Sequence, residues 1–243
     1  MTGTLFMVAT PIGNLSDITL RTLETLKTVD AILCEDTRVT GKLLARYEIR
    51  QPLLSCHEHT DEEKLRVIVE RLRSGESFAY VSDAGTPGLS DPGNRLVERA
   101  VAGGITVVPI PGASALGAIV SVAGIDMREF IFKGFPPHKK GRQTFFQGVA
   151  ESELPVVYYE SPHRVLKNLT LLQELAPQKN VIIGRELTKV FEEVVRGSVA
   201  HGLQYFTAHP EKVKGEFVII VYEQVEKKKS LSETGEVVWV GQE

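Results

Sequence analysis

Short apolar runs alternate with amphipathic stretches through the first half of the chain, and this rhythm restricts the fold more than any other feature. Leu5-Phe6-Met7-Val8 reads as a strand, and Ile18 to Leu26 as a helix with Leu20, Leu23 and Leu26 on one face. Ala31-Ile32-Leu33 is a second strand. Thr60 followed by Glu63 has the spacing of a capping box, opening a helix that buries Leu65, Ile68, Val69 and Leu72. Phe78-Ala79-Tyr80-Val81 and Ile105-Thr106-Val107-Val108 continue the series. Strands separated by helices imply a largely parallel α/β sheet.

The second half continues in the same class with different spacing. A helix near Ala113 to Ala123 is followed by strand-like runs at Phe130-Ile131-Phe132, Val156 to Tyr159, Val181 to Ile183 and Glu216 to Tyr222. Ile110-Pro111-Gly112 punctuates the chain and marks a boundary. The expected organisation is an N-terminal α/β domain over 1–112, a C-terminal α/β domain over 113–225 and a polar tail over 226–243. Val237-Val238-Trp239-Val240 is a candidate edge strand within that tail.

Charge and composition exclude several classes. The chain has 243 residues, 42% of them hydrophobic and 24% charged, which is the balance of a packed globular protein rather than a disordered one. No apolar run approaches the ~18 residues of a membrane span. The first residues lack the basic and apolar regions of a signal peptide. With only Cys34 and Cys56, no disulfide framework is expected, and the reading is a cytoplasmic protein with no membrane partner. A net charge of −3 argues against coating free nucleic acid by bulk charge, but leaves room for a local basic patch serving one structured RNA.

Absent motifs narrow the chemistry further. There is no G-x-G pair for a dinucleotide, and Asn94 stands where a P-loop would need lysine after Gly88 and Gly93. G-x-S-x-G, H-E-x-x-H and paired C-x-x-C are missing. Cys56-His57-Glu58-His59 is the one metal-like cluster, yet adjacent residues at a strand end point to opposite faces, so no metal is expected.

Four loops rich in glycine, proline and small polar residues each follow a predicted strand. They are Ala9-Thr10-Pro11-Ile12-Gly13-Asn14, the stretch from Ser82-Asp83-Ala84-Gly85-Thr86-Pro87-Gly88 to Gly93, Pro111-Gly112-Ala113-Ser114-Ala115, and Glu160-Ser161-Pro162-His163-Arg164. Any one is a well-made turn. Four at strand ends favour a ligand site, because α/β sheets bind ligands beyond the carboxyl ends of their strands.

These blocks, together with Cys34-Glu35-Asp36-Thr37-Arg38, Arg185-Glu186-Leu187-Thr188-Lys189 and Gly215-Glu216, resemble the bacterial 16S rRNA cytidine 2′-O-methyltransferase family from about Thr4 to Tyr222. The wider tetrapyrrole methylase superfamily has a class III methyltransferase fold. The resemblance therefore implies two α/β domains with the cofactor, S-adenosylmethionine, in a cleft between them, and a homodimer. It implies 16S rRNA within the small ribosomal subunit as substrate. By position, Pro11, Ile12, Asp83, Ala84, Thr86, Ser114, Ala115, Tyr159, Leu187 and Glu216 match cofactor-binding positions. In the superfamily's G-D-P-type loop, Ser82 here replaces the glycine and Ala84 the proline. Family members continue for some tens of residues past the last strand, where this sequence has its short polar tail.

For the reaction, a carboxylate or a cation near the ribose hydroxyl would help, and Glu160 and Arg164 are the candidates for catalysis. Ser161-Pro162 equally fits an N-cap with proline at the first helical position, making Glu160 and Arg164 helix-start charges. Lys139, Lys140 and Arg142, in the stiff loop Gly134-Phe135-Pro136-Pro137-His138-Lys139-Lys140-Gly141-Arg142, are candidate RNA contacts. Arg185, Glu186, Lys189, Glu192 and Glu193 read as an ion network on a solvated face. Two rival readings are a tetrapyrrole-ring methyltransferase, disfavoured by Ser82-Asp83-Ala84 and the cationic loop, and a non-catalytic RNA-binding protein, disfavoured by the complete set of loops.

Overall fold

In the computed structural model, residues 2–90, 93–223, 229–231 and 237–239 are described. The chain divides into two compact units. One comprises Met1–Ile125 with Gly184–Val194 and Gly215–Val218, and the other Asp126–Ile183, Val195–Lys214 and Ile219–Glu243.

The first unit alternates β1 (Thr4–Val8), α1 (Leu20–Thr28), β2 (Ala31–Cys34), α2 (Thr37–Arg46), β3 (Leu53–Ser55), α3 (Glu62–Arg73), β4 (Phe78–Val81), α4 (Asn94–Ala102), β5 (Thr106–Ile110) and the short α5 (Ala115–Ser121). The strands form one sheet in the order β3-β2-β4-β1-β5, parallel throughout. The central strands β2 and β4 are buried at every position, as a strand covered on both faces must be. Their alternating side chains feed two cores. Leu5, Leu33, Phe78 and Tyr80 pack with Leu65, Ile68 and Leu72 of α3 and Leu96 and Ala100 of α4. Val8, Ile32, Cys34, Ala79 and Val81 pack with Leu26 of α1 and Leu44 of α2. Two helices thus cover each face. Pro109 sits on the edge strand β5, where a missing N–H costs no ladder bond.

The strand order fixes where a ligand can enter. From β1 the chain crosses over one face toward β2 and β3, whereas from β4 it crosses back over the other toward β5. β1 and β4 are neighbours, so the connections leave their carboxyl ends in opposite directions and open a crevice between them.

The second half contains β6 (Ile131–Phe132), α6 (Arg142–Ala150), β7 (Val156–Glu160), α7 (Val165–Leu175), β8 (Asn180–Arg185), β9 (Glu193–Ser198), α8 (Val199–Ala208) and β10 (Phe217–Tyr222). Its sheet runs β6-β7-β10-β8-β9, with β6 and β7 parallel. Phe146, Tyr158, Leu169, Leu172, Phe206 and Ile220 are fully buried there.

Four local expectations are corrected. The cap of α3 is Asp61, whose carboxylate accepts from the Lys64 amide at 2.7 Å, while the Thr60 hydroxyl accepts from the His57 amide at 2.8 Å. Leu20 is 79% exposed and does not share the buried face of Leu26. Helix α7 begins at Val165 rather than beside Pro162, and the Ser161 hydroxyl receives Arg164 Nε at 3.1 Å instead of capping the helix. Strands β11 (Lys229–Leu231) and β12 (Val237–Trp239) pair antiparallel with one another as a separate ribbon, so Val237 to Trp239 is not an edge of the main sheets. The rest of the tail lies outside the described residues.

Candidate active site

The crevice between β1 and β4 is where the sequence motifs of the first unit converge. Beyond β1, Thr10 exchanges two backbone hydrogen bonds with Gly85 (2.9 and 3.1 Å), joining the first loop to the second. The Thr10 hydroxyl donates to Ser82 O at 3.3 Å. The second loop is joined to the third by Thr86 Oγ1 donating to Ala113 O at 3.1 Å. Gly85 has φ +81, and a methyl group there would lie 3.2 Å from Ile12 Cγ2, so glycine is needed for both the turn and the packing. Gly112 approaches closely for a similar reason, a methyl there lying 3.0 Å from Ala9 Cβ. Ser114 caps α5, accepting from the Gly117 amide, and Ala115 begins that helix.

Around this rim the side chains divide by chemistry. Pro11 and Ile12 are buried and form an apolar wall. Asp83 and Ala84 are exposed, and Asp83 Oδ1 accepts from the Asp36 amide at 3.1 Å, tying the loop after β2 to the loop after β4. Asp36 also accepts from Arg38, whose guanidinium holds its carboxyl down at about 2.

The Arg185-Glu186-Leu187-Thr188-Lys189 segment folds onto the same unit. Lys189 lies so closely over Gly13 that a methyl group on Gly13 would come 2.3 Å from Lys189 Cγ. Its ammonium is fixed by Glu186 Oε1 at 2.8 Å and Glu216 Oε2 at 3.1 Å, and Glu186 Oε1 also accepts from the Glu216 amide at 3.0 Å. Burial raises the Glu186 carboxyl, but the hydrogen bonds from Lys189 and the Glu216 amide outweigh it and leave the group below its ordinary value. Burial likewise lowers Lys189, and its bonds to Glu186 and Glu216 outweigh that and raise it. Glu186 and Thr188 hold φ +50 and +69, the latter an outlier for a β-branched residue. The Thr188 hydroxyl is buried without a hydrogen-bond partner among the described residues. Such strain collects where function overrides comfort. Leu187 is buried, against the position of Gly184, and Val190 and Phe191 beyond Lys189 are 94% and 71% exposed. Sequence reasoning placed Lys189 in a solvated ion network. Its contact with the first loop, 176 positions earlier, had no local signal.

The remaining candidates belong to the second unit. Tyr159 lies between Phe132 and Phe135, at centroid distances of 5.1 and 5.4 Å, and its amide donates to Gly134 O. Glu160 is 1% exposed. Its Oε1 accepts from the Ser161 amide at 2.7 Å and pairs with Arg164 Nε at 3.4 Å, and its Oε2 accepts from Asn168 Nδ2. Arg164 Nη1 donates to Pro136 O at 2.8 Å, which anchors the cationic loop. Lys139 and Lys140 are exposed, and Arg142 opens α6 half-buried. The cysteine thiols are both buried, which pushes each above its ordinary value and away from the reactive thiolate.

Residues 4–201 match the model of the tetrapyrrole (corrin/porphyrin) methylases. Among similar curated proteins, the ribosomal RNA small subunit methyltransferase I of Pasteurella multocida is 43% identical over 230 residues, spanning 94% of this chain and 82% of its own length. That of Borrelia garinii subsp. bavariensis is 46% identical over 220 residues, spanning 89% and 97%. Among solved structures, diphthine synthase aligns with a TM-score of 0.72 at 14% identity, covering 92% of this chain and 91% of its own. The cobalt precorrin-4 methyltransferase CbiF aligns at 0.68 and 17%, covering 90% and 94%. These structures share the fold. The family's methyl transfer depends on S-adenosylmethionine. An exposed carboxylate, an apolar wall at Pro11 and Ile12 and glycine-thinned backbone at a switch point suit a ligand with a polar and an apolar end. On its sequence and its loops alike, the chain belongs to the tetrapyrrole methylase family, in the branch whose curated members are named ribosomal RNA small subunit methyltransferase I.

Proposed function

We propose that this chain methylates the ribose 2′-oxygen of a cytidine in 16S rRNA of the small ribosomal subunit, with S-adenosylmethionine as donor. The observation that carries the reading is the locking of three glycine- and proline-rich loops to one another at the β1–β4 switch point, in a chain over 40% identical to named rRNA methyltransferases. When bound, the sulfonium cofactor supplies an already electrophilic methyl group. Pro11, Ile12, Asp83, Ala84, Thr86, Ser114, Ala115, Leu187 and Glu216 would hold it, with Tyr159 flanking the adenosine.

The protein's own task is to place a weakly acidic hydroxyl in line with that methyl and to exclude water. In this proposal Arg164 is the cation that stabilises the developing alkoxide. Its Nε and Nη1 are engaged, and among the described residues nothing engages Nη2. Glu160, with donors on both oxygens, acts as the group that fixes Arg164. Lys139, Lys140 and Arg142 contact RNA phosphates, and the active species is a cytoplasmic homodimer. No described helix is long and apolar enough to cross a membrane.

The test is methyl incorporation from labelled cofactor into small subunits that lack the modification, followed by mapping. The expected product resists alkaline cleavage at a single linkage. Methylation of a base, or turnover confined to a porphyrinogen or precorrin substrate, would overturn the reading.

A further inference from the structure

Helix α2 carries a feature that the reaction site does not use. Over Thr37–Arg46 it has three cations and no acid. Arg38, Lys42 and Arg46 recur every fourth residue, which places them in one row along the helix, about 6 Å apart in rise. All three are exposed, while the opposite positions Thr40 and Leu44 are buried. Arg50, also exposed, follows just beyond the helix end, and Glu48 is the only acid between Thr37 and Arg50. This run has four cations against one acid in a chain of net charge −3.

Neither Lys42 nor Arg46 has a carboxylate partner among the described residues, and Arg46 lies over the Tyr47 ring at 5.8 Å. Arg38 pairs with Asp36, but at 87% exposure this surface pair is weak and open to exchange for a phosphate. The row is also aimed. Its amino end is capped by Asp36, whose amide is bound by Asp83 in the loop after β4. A strand lying along α2 would therefore be led toward the carboxyl edge of the sheet, where the crevice lies.

We infer that the Arg38–Lys42–Arg46 row is an RNA-backbone docking surface, taking successive phosphates of the substrate strand beside the reacting nucleotide. Row contacts of this kind position RNA without reading its sequence. The inference rests on the rRNA reading given above and adds to it a surface in the first unit, built from residues outside the cationic loop of the second.

The experiment replaces Lys42 and Arg46 together with glutamate and leaves Arg38 in place. Steady-state methylation of salt-washed small subunits lacking the modification is measured across a salt series, beside cofactor affinity by calorimetry. The expected result is an apparent KM raised roughly tenfold or more at low salt. The slope of log KM against log salt should flatten by about 1 to 1.5, the contribution of two phosphate contacts. Cofactor affinity should be unchanged, because neither side chain touches the crevice loops. A Lys42→Arg, Arg46→Lys exchange, keeping the charge, should behave as the parent. If the parent methylates small subunits and the reversed variant shows the same KM and slope, the docking surface is refuted while the reaction stands. If the parent methylates no small subunit, the reaction reading fails and the docking surface with it. A reversed variant that also loses cofactor affinity overturns the assignment, because the row would then be part of the cofactor site.

Discussion

Asp83 and Glu160 are both carboxylates at strand ends, and their surroundings give them opposite roles. Asp83 is exposed at the switch point and spends one oxygen on the Asp36 amide. Removing it should weaken S-adenosylmethionine binding about tenfold, in line with the 1.5 kcal/mol or so of a hydrogen bond to a charged group. Titration calorimetry of Asp83→Ala checks this, and full-strength binding by the variant would refute the assignment. Glu160 is enclosed by donors from Ser161, Arg164 and Asn168. Glu160→Gln turns an amide N–H toward one of those donors and leaves Arg164 uncompensated, so a stability loss of about 2–4 kcal/mol in urea unfolding is expected. A variant as stable as the parent would mean the carboxylate clamps nothing. The place of Asp83, in a glycine-proline loop just beyond a strand, was legible in sequence. The enclosure of Glu160 was not. Its partners include Asn168, eight residues on and one turn into a helix that sequence reasoning began too early.

At the scale of elements, local chemistry was read well where a single pattern governed and poorly where two competed. Thr60 and Asp61 both precede α3 and both are good caps, and the choice fell to Asp61 because Thr60 was already closing the turn at His57. The Arg185–Lys189 segment is a second instance. As sequence it is a run of charges, whereas as structure it is a strained turn that grips the first loop through Lys189. That grip has a pH window. The lowered Glu186 carboxyl contributes fully above its unfolded value, near 4.3, and the contribution is lost as pH falls through its lower folded value. The raised Lys189 ammonium contributes fully below its unfolded value, near 10.4, and loses that contribution as pH rises through its higher folded one. Lys189→Met removes both. The stability difference between parent and variant should therefore be level from about pH 5 to about pH 9.5 and shrink at both extremes. A difference that grows toward acid would show that Lys189 is held by something other than Glu186.

For the whole molecule, alternation of apolar runs and amphipathic helices was enough to foresee a parallel α/β sheet, but not its order. That β4 inserts between β2 and β1 is a non-local pairing, and without it the switch point cannot be located from sequence. Charge behaves the same way. A pI of 6.1 and a net charge of −3 describe a protein with little general affinity for nucleic acid, so any RNA contact must be local. The loop from Gly134 to Arg142 is such a place. Pro136 is buried and its carbonyl is held by Arg164, while Gly134 O accepts from the Tyr159 amide, so the loop leaves β6 on two fixed points. Lys139 and Lys140 project from it exposed, with no ion-pair partner among the described residues. Holding a loop before it binds lowers the ordering cost of each phosphate contact it makes. Reversing Lys139 and Lys140 to glutamate should raise the apparent KM for small subunits several-fold at low salt and flatten its salt dependence, with kcat and cofactor affinity little changed. Arg164→Lys, which keeps the charge but loses the forked grip on Pro136 and Ser161, should lower kcat through the proposed alkoxide contact. It should also raise KM by a smaller factor than the lysine reversal, with a parental salt slope, since no phosphate contact is removed. If the lysine-reversed enzyme methylates subunits with unaltered KM across the salt series, the loop is a solvated connection and does not touch the RNA.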